Sequence, residues 1–222
     1  MIPLRHRVVP PMQKPFTLYG RPNSGSLAVQ VALEEIGVPY ERIWVGQEPA
    51  DIARFRELNP TGKVPALVLP DGTLMFESAA ILTHLALLYP EAKLAPQPGT
   101  SRHAQFLQWL VFLSANVYEA ALRIYYSARY SPRGAADGDA IRQQGAADFM
   151  THAALISRSL RPYVLGAEYS IADVYLYMLA SWYPDKAELL ARLPALGAHT
   201  ALMLARPSVA KVEADHANQA VI

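Results

Sequence analysis

Apolar and polar positions change period along the chain. Phe16-Thr17-Leu18-Tyr19 alternates as a short strand does, and the turn formers Gly20-Arg21-Pro22-Asn23 end it. From Leu27 to Ile36 the apolar residues Leu27, Val31, Ala32, Leu33 and Ile36 fall at helical spacing, and Gly37-Val38-Pro39 stops the helix. Tyr40 to Val45 returns to a strand pattern, and residues 50–58 predict a short helix on Ile52, Phe55 and Leu58. Two brief apolar runs, Ala66–Leu69 and Leu74–Phe76, flank Pro70-Asp71-Gly72-Thr73 and read as a hairpin. Ala79, Ile81, Leu82, Leu85 and Leu88 then predict a helix that opens at Ser78. The order β-α-β-α-β-β-α implies a mixed four-stranded sheet with helices on its faces.

This is the thioredoxin-like arrangement, expected over residues 16–93. Ala95-Pro96-Gln97-Pro98-Gly99 marks a linker over 94–100. Beyond it, residues 101–130, 139–161, 171–183 and 194–217 all carry helical periodicity, so 101–222 is expected to be an all-helical bundle. Ser170-Ile171-Ala172-Asp173 has the form of a capping box, with Tyr169 and Val174 as its hydrophobic staple, and is assigned to folding.

Composition narrows the classes. A length of 222 residues with 52% hydrophobic content supports a sizeable core. A net charge of +1 gives no general attraction to nucleic acid or to an anionic membrane. No run approaches the roughly eighteen apolar residues of a membrane span. The basic, Pro-rich start, residues 1–15, lacks the apolar core of a signal peptide and reads as a poorly ordered tail. The absence of cysteine excludes disulfides and protein-thiol chemistry, and fits a cytoplasmic protein. Any thiol must arrive on a ligand.

Candidate chemistry gathers at three places. Val64-Pro65 stands at the start of a strand, where a proline cannot donate to the ladder; it predicts a corner, with a cis bond as a candidate, that leaves the Val64 main chain free for an extended ligand backbone. The helix start at Ser78 offers free N–H groups and a positive dipole end, which favour a carboxylate, and Glu77 beside it can accept from an ammonium group. Gly20 to Ser26 imitates a phosphate loop but lacks its lysine, so nucleotide binding is not expected. The same geometry suits a thiolate, with Ser24 as hydroxyl donor; alternatively, Ser24 only caps the helix. Tyr118, Leu122, Tyr125, Tyr126 and Arg129 form an aromatic, partly cationic stripe, which fits core, a subunit interface or a co-substrate pocket. The six histidines show no metal-ligand spacing, and no Gly-x-Ser-x-Gly elbow is present.

The stretch Asn59–Ser78, NPTGKVPALVLPDGTLMFES, resembles the glutathione-binding half of the glutathione S-transferase family in its Val-Pro corner, hairpin and Glu-Ser helix start. Ser-Ile-Ala-Asp at 170–173 and Ala205-Arg206-Pro207-Ser208-Val209 resemble elements of the family's helical domain, so the resemblance spans residues 16 to about 213. It looks bacterial, theta- or beta-like. Aligned on Leu18-Tyr19 and Pro22, Ser24 falls at the catalytic serine of theta-like members, with Ser26 as fallback; Gly25 falls where the beta class carries cysteine. Tyr118-Glu119 falls where the beta class carries a His-Lys pair. The resemblance implies that Lys63, Val64, Pro65, Glu77 and Ser78 hold glutathione, and that Tyr118, Leu122 and Tyr125 line the co-substrate pocket. It implies a homodimeric transferase in which glutathione is a co-substrate, its thiolate attacks small apolar electrophiles, and no metal or prosthetic group takes part. Two alternatives stay open: a non-catalytic binding module of the same fold, or a glutathione-dependent peroxidase, isomerase or dehalogenase.

Overall fold

The computed structural model describes residues 14–219; the tail expected over 1–15 lies outside them apart from Lys14 and Pro15. Strand β1 (Phe16–Gly20) sits inside a four-stranded sheet of order β2-β1-β3-β4. It pairs in parallel with β2 (Tyr40–Trp44) and antiparallel with β3 (Ala66–Val68), which pairs antiparallel with β4 (Leu74–Phe76). The alternation in β1 gives each sheet face its own partner. Phe16 and Leu18 are fully buried, whereas Tyr19 meets Phe55 of α2 (Pro49–Leu58), ring centroids 5.7 Å apart. The hairpin closes as its residues require: Gly72 adopts φ 89°, and the Asp71 carboxylate accepts from the Thr73 N–H at 2.8 Å.

Helix α1 (Ser26–Ile36) is buried from Ser26 through Leu33, because it packs against the sheet, against α3 (Ser78–Leu88) and against helices of the C-terminal half. Gly37 ends it at φ 75°, its N–H bonding the Leu33 carbonyl in the left-handed cap that glycine accommodates without a Cβ clash.

Beyond the linker the described chain is helical apart from an isolated bridge between Tyr163 and Gly166. The single helix expected over 101–130 is instead α4 (Ser101–Phe112), a π-helical segment (Leu113–Tyr118), α5 (Glu119–Tyr125) and a 3-10 turn (Ser127–Tyr130). Helix α6 (Gly138–Ser157) crosses α5 at Gly145, where a Cβ would stand 3.0 Å from the Ala120 carbonyl. Helix α7 (Ile171–Ser181) is buried from Ile171 to Ala180 and forms the centre of the bundle. The sequence pattern missed α8 (Lys186–Arg192), which Asp185 caps through the Glu188 N–H at 2.8 Å. The helix expected over 194–217 is two, α9 (Pro194–Leu204) and α10 (Pro207–Gln219), because Pro207 cannot continue the α9 ladder.

Helix α10 fastens the two halves. Arg206 makes a bidentate pair with Glu35 of α1, at 2.9 and 2.7 Å, and Ser208 donates to the same carboxylate. The Arg206 guanidinium lies 3.6 Å over the Tyr169 ring. At the other end Asp215 bonds Gln30 and Arg42, and His216 meets the Trp44 ring edge-on, covering β2 at the sheet edge. Burial alone would raise the Glu35 pKa, but the hydrogen bonds from Arg206 and Ser208 and the guanidinium charge outweigh it, so the carboxyl titrates below its ordinary range. A depressed carboxyl contributes stability that is present above the unfolded value near 4.3 and lost as pH falls through the folded value. Glu35→Gln is therefore expected to cost about 1.5–3 kcal/mol at pH 7 and progressively less below about pH 4. Urea melts at pH 7 and pH 3.5 check this; equal losses at both would contradict it.

Candidate functional site

The loop from β1 to α1 is held by side chains that the sequence brings to its base. The Arg21 guanidinium donates to the carbonyls of Val45 (3.1 Å) and Gly46 (3.2 Å), tying the loop to the end of β2. Asn23 takes φ 53°, which asparagine tolerates better than most residues. The N-cap of α1 is Gly25, with no side-chain bond, and Ser24 just before it accepts from the Ser26 N–H at 3.3 Å. Ser24 Oγ also donates to the Arg21 carbonyl at 2.8 Å and lies 2.9 Å from Ser26 Oγ, which itself reaches the Arg21 carbonyl at 3.1 Å. Ser26 is buried and points back at Gly20, where a Cβ would come within 2.5 Å of its hydroxyl. Ser24 is half-buried. Of the two candidate donors, Ser24 is the reachable one.

The second element begins at Asn59, a fully buried side chain to which the sequence analysis gave no role. Asn59 Nδ2 donates to the Lys63 carbonyl (2.8 Å), and its Oδ1 accepts from the Thr61 N–H and hydroxyl. These bonds shape the approach to Val64-Pro65, whose peptide bond is cis. Among the described residues the Val64 N–H and C=O enter no hydrogen bond. Lys63 is exposed.

The third element is the start of α3. Glu77 is its N-cap at φ 70° and ψ 105°, a left-handed conformation unusual for a residue with a Cβ. Its exposed side chain makes no capping bond, so the carboxylate remains available at the rim. Strain of this kind at a rim carboxylate points towards a ligand. Ser78 is buried, and its hydroxyl pairs with the Tyr175 hydroxyl of α7 at 2.9 Å. Burial pushes the Tyr175 pKa up to about 12, although the Ser78 bond works against it. Tyr175 was not singled out from sequence. Its only signal was a phenol within a helix that is otherwise a buried apolar stretch, where hydroxyls need partners.

Gly25 brings the elements together. A Cβ there would stand 3.1 Å from Pro65 Cδ, 3.2 Å from Tyr118 Oη and 3.6 Å from Ser78 Oγ. Tyr118 ends the π-helical segment and packs edge-on against Trp182, ring centroids 5.0 Å apart. Burial and the neighbouring Tyr175 push its pKa above the ordinary tyrosine value. Leu122 and Tyr125 follow at i+4 and i+7 on the same helical face. Tyr125 is exposed, and its hydroxyl donates to the Trp182 carbonyl. The Arg129 guanidinium lies 4.0 Å over the Tyr126 ring. The site thus combines neutral hydroxyls, unpaired main-chain groups and two helix N-termini, with one carboxylate at its edge. That field suits an anion, carboxylate or thiolate, carried on an extended backbone.

Comparison with known proteins gives a consistent picture. The family model described as "Glutathione S-transferase, N-terminal domain" matches residues 26–88. The uncharacterized GST-like protein YncG of Escherichia coli K12 is 30% identical over 173 residues, covering 75% of this chain and 82% of that protein. The crystal structure of a glutathione transferase homologue from Sulfitobacter with bound glutathione superposes at TM-score 0.83 with 29% identity, over 90% of this chain and 98% of that one. A sphingomonad glutathione S-transferase complexed with glutathione gives TM-score 0.76 at 29% identity, over 90% and 98%.

Proposed function

The chain belongs to the glutathione S-transferase family, and from that premise we propose that it binds glutathione, ionises its thiol and directs the thiolate at small apolar electrophiles. The observation that carries the reading is the convergence on Gly25 of the Val64-Pro65 corner, the Ser78 hydroxyl and the Ser24 loop. In this reading the Val64 main chain pairs with the cysteinyl residue. Ser78 and the first N–H groups of α3 hold the γ-glutamyl carboxylate, Glu77 meets the ammonium group, and Lys63 faces a ligand carboxylate. Tyr118, Leu122 and Tyr125 line the co-substrate side.

Ser24 donates the hydrogen bond that the thiolate accepts. Turning its O–H away from Arg21 towards the sulfur leaves no orphaned acceptor, since Ser26 Oγ already reaches the same carbonyl. Catalysis consists of thiolate activation and proximity. The reaction begins when the thiol proton leaves to water. A sulfur–carbon bond then forms while the leaving group departs with its electron pair.

Retention on immobilised glutathione, followed by assays with electrophiles and peroxides, tests the reading. Binding with conjugation supports it; binding without turnover on either panel would make the protein a binding module. Within the site, Ser78→Ala is expected to weaken glutathione binding by about 1–2 kcal/mol, roughly 5- to 30-fold in Kd. Tyr175→Phe leaves the Ser78 hydroxyl in place without its partner, so it is expected to weaken binding by less while lowering Tm. Calorimetry with unchanged Kd in Ser78→Ala would move the carboxylate clamp elsewhere.

A further inference from the structure

We propose that the electrophile taken by this chain is an aromatic one with a carboxylate at its far end, and that the Arg129 guanidinium reads that carboxylate. The proposal rests on the glutathione reading above and narrows its co-substrate.

A chain of ring contacts leads from the glutathione side to Arg129. The Tyr118 oxygen lies 3.2 Å from the point where a Gly25 Cβ would stand. The Trp182 ring meets Tyr118 edge-on, centroids 5.0 Å apart, and the Trp182 carbonyl accepts from the Tyr125 hydroxyl. Tyr125 and Tyr126, where α5 ends, are 55% and 45% exposed. Tyr126 is near enough to Tyr118, and to Arg21 in the loop that carries Ser24, for its phenol to act electrostatically on both. The Arg129 N–H bonds the Tyr126 carbonyl at 2.9 Å, and its guanidinium stands 4.0 Å over the Tyr126 ring. Exposed rings of this kind favour a co-substrate that is itself a ring, through offset or edge-on contacts.

Arg129 is the spare cation of this region. Arg123 pairs with Glu119 and Asp148, Arg133 with Asp137, and Arg142 with Asp139. Arg21 donates to the Val45 and Gly46 carbonyls, with Asp51 close by. The Arg129 guanidinium has neither a carboxylate nor a hydrogen-bond acceptor among the described residues; its partner is the Tyr126 ring. A guanidinium set over a ring engages through its face, which leaves its in-plane N–H fork free. That fork takes both oxygens of a carboxylate together, and a neutral group does not satisfy it in the same way.

Spacing sets where the charge sits. Tyr118 and Tyr126 are eight residues apart, about 12 Å along a helix axis. The carboxylate therefore belongs one ring beyond the ring that reacts. The thiolate sulfur attacks the ring carbon that bears the leaving group; a sulfur–carbon bond forms, and the leaving group departs with its electron pair. The carboxylate takes no part in these bond changes. Its pairing with Arg129 holds the reacting ring in place.

The probes are a chlorodinitrobiphenyl carboxylate, with chlorine and nitro groups on one ring and the carboxylate at the far end of the other, and the matching carboxamide. For each, kcat/KM at saturating glutathione is divided by the uncatalysed rate constant. Wild type is expected to favour the carboxylate by about tenfold, chiefly through KM, and less so as salt rises. Arg129→Gln is expected to bring the ratio to about one, and Arg129→Lys to keep part of it, because an ammonium has the charge without the fork. A general loss of fold slows both arenes alike and leaves the ratio unmoved. A wild-type protein that converts both arenes equally, or an Arg129→Gln protein that keeps the wild-type ratio, overturns the role of Arg129 and leaves the glutathione reading standing. Retention on immobilised glutathione with conversion of neither arene overturns it too, and leaves glutathione binding in place. A wild-type protein that is not retained and converts neither arene removes the glutathione reading and this inference together.

Discussion

On the proposed function, Ser24→Ala is expected to move the ionisation of glutathione bound at saturation upward by about one to two units, roughly 1.4–2.7 kcal/mol of thiolate stabilisation. A free thiol near pKa 8.5 is only about 3% ionised at pH 7. Activity at that pH is therefore expected to fall about 10- to 100-fold, and to recover as pH rises past the new midpoint. In that reading a charge-assisted bond from Ser24 would supply most of the effect, about 1.5–3 kcal/mol, with about 0.3–1 kcal/mol from the N-terminus of α1. Ser26→Ala is expected to do less, because that hydroxyl is buried against Gly20 and reaches the sulfur only through Ser24. It removes the donor that replaces Ser24 at the Arg21 carbonyl, so a small upward shift is its signature. A larger shift in Ser26→Ala than in Ser24→Ala would transfer the assignment to Ser26.

Elements with a local signal were legible in the residues. Asp71-Gly72 encodes its own turn, Gly37 its own helix stop, and Ser170 with Asp173 its own cap; each depends on neighbours within a few positions. The four-stranded sheet followed from strand and helix order, because a parallel β1–β2 pair needs a crossover while β3–β4 needs only a hairpin. The Gly-Lys-Val-Pro corner and the Glu77-Ser78 helix start were visible for the same reason.

The hidden features depend on distant partners. Nothing in Leu113–Tyr118 departs from helical periodicity, yet the segment is π-helical, and Tyr118 packs on Trp182 and Tyr175, more than fifty positions on. The way the Ser24 hydroxyl is held in the loop depends on Arg21 and Ser26 folding back on it. Tyr175 was hidden behind its neighbours Ile171–Val174, whose folding role as a capped core helix accounts for the stretch unless Ser78 is known to lie 2.9 Å away. The break at Arg206-Pro207 was present in the sequence as a proline, but helical periodicity on both sides of it suggested one helix.

Asp173→Ala is expected to cost about 3–5 kcal/mol and to take the site down with the fold. One carboxylate oxygen accepts from the Val164 N–H at 2.7 Å and from His199 Nε2 at 3.0 Å; the other accepts from the Ser170 N–H at 2.8 Å. Asp173 and His199 are both 0% exposed, so alanine leaves these donors with no partner and no water in reach. Each unsatisfied buried donor costs about 1–3 kcal/mol, and loss of the negative charge from the first turn of α7 adds a dipole term. With a carboxylate facing it, His199 Nε2 is assigned as the donor of that bond, and Nδ1 makes no bond among the described residues. Asp173→Asn preserves volume but turns an amide N–H₂ towards N–H donors, so it is expected to lose most of the same stability. Ser170→Ala, which removes only the cap hydroxyl, is expected to cost about 1 kcal/mol. The site suffers because of position: Tyr175 lies two residues past Asp173 on the same helix and holds Ser78. Glutathione affinity in Asp173→Ala is therefore expected to fall before global unfolding as urea rises, whereas in Ser170→Ala the two losses coincide. An Asp173→Ala urea midpoint corresponding to less than about 1 kcal/mol of lost stability would show that α7 is held by its apolar packing alone.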